Sequence, residues 1–73
     1  MKIYHIFKGA FPLTIEEQKK YCIYANTDVK ETKEFINKLD NDNYYVLIIS
    51  EDGKSYNAII QGLDEIKNEI ELQ

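Results

Sequence analysis

The sequence predicts a single α+β domain over residues 1–73: a four-stranded, mostly antiparallel sheet of order 2-1-3-4, reached by a ββαββ path, with one main helix on one face. Three observations predict it. Two stretches, Lys2 to Lys8 and Tyr44 to Ile49, are apolar or aromatic on both alternating faces, as central strands are. One amphipathic helical pattern lies between them. The whole chain is 73 residues, which leaves room for one domain and one thin core.

The first strand, Lys2 to Lys8, places Ile3, His5 and Phe7 on one face and Tyr4 and Ile6 on the other. Gly9-Ala10-Phe11-Pro12-Leu13 breaks it. Thr14-Ile15-Glu16-Glu17 then matches a capping box, which predicts one short helical turn. Glu16 and Glu17 are adjacent and point apart on a helix, so they do not converge as an acid and base must. Tyr21 to Ala25 is a second strand, short enough for an edge.

Asn26-Thr27-Asp28 supplies a helix N-cap, with Glu31 three residues after Asp28. Val29, Thr32, Phe35, Ile36 and Leu39 then recur at helical spacing, opposite Lys30, Lys33, Glu34, Asn37 and Lys38. The run Asp40-Asn41-Asp42-Asn43 ends that helix. With Glu51 at the twelfth position from Asp40 it invites a calcium-loop reading, which fails because Tyr45 stands where the sharp turn needs Gly.

Tyr44-Tyr45-Val46-Leu47-Ile48-Ile49 is the third strand, and Asp52-Gly53 predicts a hairpin into a fourth at about Ser55 to Ile60. After Gly62 the pattern is divided. Leu63, Ile66 and Ile70 have helical spacing, whereas Glu69-Ile70-Glu71-Leu72 alternates as a strand does; the helix is favoured. Connectivity rules make strands one and two an antiparallel hairpin, and the helix crosses over right-handedly to place strand three on the far side of strand one, parallel to strand two. One main helix covers one face. The other is expected to be covered by the residues from Leu63 onward, by a homodimer contact or by a partner protein.

Composition narrows the function classes. The net charge is -4 and all nine basic residues are Lys, so the counterion-releasing basic patch of a nucleic-acid binder is missing and so is the Arg fork that reads phosphate or guanine. No direct nucleic-acid binding is expected. No apolar run approaches a membrane span. The single cysteine, Cys22, cannot form an internal disulfide, which suits a reducing cytoplasm. Heavy use of Ile, Lys, Asn, Tyr and Glu without Arg or Trp suggests a low-GC bacterium or its phage.

Candidate chemistry is sparse. His5 reads as a half-buried, hydrogen-bonded residue of a strand, Cys22 as a packed thiol, and the glycines at 9, 53 and 62 are too isolated to cradle phosphate. No catalytic, metal or cofactor residue is assigned. The six tyrosines read as half-buried strand packing more readily than as base-stacking platforms.

Ile3-Tyr4-His5-Ile6-Phe7, the Ile23-Tyr24 strand, the charged helix after it, Asp52-Gly53, Tyr56 and the closing Glu71-Leu72 resemble the small epsilon subunit of RNA polymerase in low-GC Gram-positive bacteria. The passage from Tyr24-Ala25-Asn26-Thr27 onward is also similar to a small phage-encoded inhibitor of bacterial RNA polymerase. The chain departs from the epsilon pattern in having Lys8-Gly9 where that pattern has an aromatic-polar pair after Phe7, and in lacking an Arg-Glu pair before strand two. The resemblance implies a non-enzymatic accessory factor or phage modulator of transcription whose partner is RNA polymerase.

The sequence therefore leads to a protein-binding module that docks through apolar sheet surface, with Tyr4, Ile6, Tyr45, Leu47 and Ile49 as the candidate contact residues. The alternative is an acidic decoy that blocks a DNA-binding or defence enzyme with carboxylates in place of phosphates. Asp64, Glu65, Glu69 and Glu71 begin such a stripe, which Lys67 interrupts.

Overall fold

The structure is a computed structural model and describes residues 1–9, 14, 16, 20–51 and 58–73. Strand β1 (Lys2–Lys8) lies between β2 (Cys22–Asn26) and β3 (Tyr45–Glu51), and β4 (Ala58–Gln61) lines the far side of β3. Every neighbouring pair is antiparallel, and the expected order 2-1-3-4 holds. The expected helical turn after Thr14 and the Asp52-Gly53 hairpin fall mainly outside the described residues.

The β1–β3 register sets both faces of the sheet. Tyr4 stands opposite Ile49 and Ile6 opposite Leu47, while on the reverse face His5 meets Ile48 and Phe7 meets Val46. All of β3 from Tyr45 to Ser50 is buried, as a strand covered on each side must be. β2 carries one irregularity. Ile6 pairs with Tyr24 but Phe7 with Cys22, so Ile23 is the extra residue of a bulge and is 42% exposed.

Helix α1 (Val29–Asn37) starts where the cap was expected: an Asp28 carboxylate oxygen accepts from the backbone N–H of Lys30 at 2.8 Å and of Glu31 at 3.2 Å. Asn26 takes over the reciprocal half of the capping box. Its side-chain carbonyl accepts from the Asp28 N–H at 2.9 Å, and its amide donates to the Glu31 carboxylate at 2.8 Å and to the Tyr24 hydroxyl at 3.0 Å. The end of β2 is thereby tied to the first turn of α1. Tyr24 also stacks on Phe35, with ring centroids 4.1 Å apart. Thr32, fully buried, donates its hydroxyl to the Asp28 carbonyl at 2.8 Å and so leaves no polar atom unpaired.

Beyond α1, Asp40 closes a turn in place of a cation loop. Its side chain accepts from the Asp42 N–H and from the Asn43 amide, at 3.1 and 2.9 Å, and the Asn43 bond is the leading cause of a carboxyl held below the usual carboxylate range.

Gly62 ends the sheet. Its N–H donates to the Tyr45 carbonyl at 2.9 Å and its φ of 91° is a conformation that L side chains rarely adopt. Helix α2 (Leu63–Glu71) begins at the next residue, so the helical reading of the C-terminal segment holds and the strand reading does not. Its placement corrects one expectation. Leu63, Ile66 and Ile70 join Ile36 of α1 in the cluster that contains Tyr4, Ile6, Tyr45, Leu47 and Ile49, so α2 lies on the same face as α1 and does not shield the opposite one. The reason is geometric: Ala58 and Ile60 of β4 already face that cluster, and a helix leaving Gly62 continues their apolar surface. On the reverse face Phe7, Val46 and Ile48 form a second, smaller cluster, with Cys22 and Ile59 packed against it.

Ile36 and Ile66 are fully buried where the helices meet the sheet. Truncating either to Ala is expected to cost about 2–5 kcal/mol. A domain of this length holds only about 4–11 kcal/mol, so urea midpoints should fall steeply for both variants and only slightly for Ile36→Val. Asp28→Ala should cost about 1 kcal/mol, seen as a lower urea midpoint with an unchanged slope.

Candidate functional site

The five residues expected to contact a partner all lie in the larger core. Tyr4, Ile6, Tyr45, Leu47 and Ile49 are between 0% and 5% exposed, beneath α1 and α2. As the protein stands, a partner cannot touch them. The centre of the reverse face is closed as well, since Phe7, Val46 and Ile48 are 5%, 0% and 6% exposed in the isolated chain. The surplus apolar sheet surface read from the sequence is therefore absorbed by two cores.

The reactive side chains are committed to local bonds. The His5 ring nitrogen Nε2 lies 3.3 Å from the Ser50 hydroxyl, a pairing across the β1–β3 ladder, and the ring stacks on Phe7 at 6.3 Å between centroids. Reading the sequence missed Ser50. The hairpin-like register of the two central strands is the only signal that could have found it. Ser50 is itself buried and lines neither surface cleft, so this contact satisfies a polar pair inside the sheet. The Cys22 thiol donates to the Tyr24 carbonyl at 3.4 Å and packs against the smaller cluster. Among the described residues, no group of three His, Cys, Asp or Glu side chains is arranged to hold a metal ion, and no helix is long and apolar enough to cross a membrane.

Among the described residues the surface includes two sheet edges and two shallow clefts. The outer edge of β2 has no paired strand among the described residues; exposed Ile23 and Ala25 lie along it and exposed Tyr21 precedes it. The outer edge of β4 is equally open, and α2 runs beside it. Between them lies a cleft of about 350 Å³ lined by Ile60, Gln61, Glu65, Glu69 and Leu72 among others. A second cleft, about 540 Å³, is lined by Asn43, Tyr44, Gly62 and Asp64, with the Tyr44 hydroxyl donating to the Gln61 side chain at 3.4 Å.

The acidic residues of α2 do not form one stripe. Glu65 and Glu69, one turn apart, line the β4 cleft, Glu65 also lines the second cleft beside Asp64, and Glu71 lies about a third of a turn from Glu65 on the helix. Compared with protein-family models, curated proteins and solved structures, the chain finds no match.

Burial holds the His5 imidazole below its ordinary value near 6.5. The unfolded chain therefore binds more protons than the folded one just below that pH, and stability falls as the pH drops from about 6.5 towards the folded value. Urea midpoints at pH 7 and pH 5 should differ less in His5→Gln than in the parent chain. The Asp40 contribution, of the opposite kind, is lost only as the pH falls towards its lowered folded value, below the ordinary 3.8.

Proposed function

We propose that the chain is a non-enzymatic protein-binding module that modulates transcription by docking on bacterial RNA polymerase through an edge of its sheet. The observation that carries this reading is a four-stranded sheet whose two outer strands are short and open on their outer sides among the described residues. Exposed strand edges are templates for a further strand, and natural monomers usually blunt them with charge or proline. Cys22-Ile23-Tyr24-Ala25-Asn26 carries neither, though it is bulged at Ile23, and β4, Ala58-Ile59-Ile60-Gln61, carries neither and keeps an unbroken register.

The side chains with chemical potential support the same reading. His5 is taken up by Ser50 and Phe7, and Cys22 by a main-chain carbonyl, so both serve the fold. The net charge of -4 favours a protein surface over a phosphate backbone as partner. The resemblance of Ile3-Tyr4-His5-Ile6-Phe7 and Ile23-Tyr24 to the epsilon subunit makes RNA polymerase the partner to test.

Purified chain mixed at about 10 µM with purified core polymerase from a low-GC Gram-positive bacterium should co-elute with the enzyme in size-exclusion chromatography, at an affinity of about a micromolar or better. Elution of the chain alone would remove polymerase as the partner. Elution alone together with protected β2 and β4 edge amides in the free monomer would remove the edge-docking reading itself.

A further inference from the structure

The β4 edge differs from the β2 edge in having a wall. Because the Gly62 N–H bonds to the Tyr45 carbonyl, the alternation of an antiparallel ladder makes Ile60–Leu47 and Ala58–Ile49 the bonded pairs that follow. The main-chain groups of Ile59 and Gln61 consequently point away from β3, towards the open side. A strand laid against them would send alternate side chains into the cleft beneath α2, over Ile60 and Leu72. Leu72 is 81% exposed, so apolar surface is available there.

The wall also has a sign. Glu65 and Glu69 line the cleft, and no basic residue among the described residues does. The Glu69 carboxylate accepts from the Gln73 side-chain amide N–H at 3.1 Å, and the nearby Lys2 ammonium donates to the Gln73 side-chain oxygen Oε1 at 3.0 Å. Spacing fits as well as charge. Residues four apart on a helix are about 6 Å apart, and alternate residues of a strand are about 6.8 Å apart, so two side chains from one face of an added strand can each meet one carboxylate.

We infer that the cleft between β4 and α2 takes an extended segment of a partner protein, added as a fifth strand beside β4, with Lys or Arg at two alternate positions facing Glu65 and Glu69. The inference rests on the proposed protein-binding role and names the chemistry of the bound segment. A second copy of this chain is a poorer occupant, because docking β4 edge to edge brings two pairs of glutamates towards each other.

The test uses the full chain, labelled with nitrogen-15, and two capped hexapeptides: one alternating lysine with valine, the other alternating glutamate with valine. The lysine peptide should shift the Ile59 and Gln61 amide signals and slow their hydrogen exchange, and the glutamate peptide should do neither. Glu65→Gln combined with Glu69→Gln should weaken binding about fivefold or more. Ile59→Pro, which deletes an outward N–H without touching the ladder to β3, should abolish exchange protection at Gln61 in a chain whose circular dichroism is unchanged. Absence of binding, shifts without exchange protection, or an unaltered affinity of the double variant would each overturn the inference. Protection at Cys22–Asn26 in place of β4 would overturn it while leaving the protein-binding role standing, as would undiminished polymerase co-elution by the double variant.

Discussion

The fold depends on the pairing of β1 with β3. Both strands are apolar on both faces, and the side-chain period of two means that one register assigns every residue to its core at once. With Tyr4 opposite Ile49, the even residues of β1 and the odd residues of β3 share the helix-covered face, and Phe7, Val46 and Ile48 share the other. A slip of one residue would exchange those sets and break both clusters. The main-chain bond from Gly9 to Tyr44 extends the β1–β3 ladder by one more pair, and the bond from Gly62 to Tyr45 does the same for β3 and β4.

The helices complete only one of the two layers. α1 is anchored by polar bonds that bridge sequence neighbours, through Asp28, Asn26 and Glu31, and by the Tyr24–Phe35 stack. α2 has no side-chain cap and is held instead by Leu63, Ile66 and Ile70. The two helices thus dock by different physics on the same surface, one through a specified start and the other through burial alone. Both are amphipathic enough for their buried stripe to meet the sheet while their charged sides face water.

Function follows from what this packing leaves over. Among the described residues, the main-chain groups without a paired strand lie on the outer sides of β2 and β4, and the proposed docking uses these edges and not the buried faces. The bulge at Ile23 twists one edge, and α2 flanks the other with an acidic wall. Polar side chains inside the sheet, His5 and Ser50 among them, are paired with each other and contribute to structure.

Much of this was legible in the residues. The limits of β1, the strand order, the Asp28 cap and the break at Gly62 all follow from local rules: period-two alternation, capping chemistry and the freedom of glycine at positive φ. The Ser50 contact to His5, the role of Asn26 and the side on which α2 lies were not legible, because each depends on residues brought together by register or by the direction in which a helix leaves the sheet. The candidate contact residues show the same division. Their apolar character was evident from the sequence, but Tyr4, Ile6, Tyr45, Leu47 and Ile49 read alike as core and as docking surface until a second helix is placed on them. Sequence alone determined which surfaces must avoid water; the tertiary structure decided what covers them, since burial is a property of the neighbours a side chain acquires and not of the side chain itself.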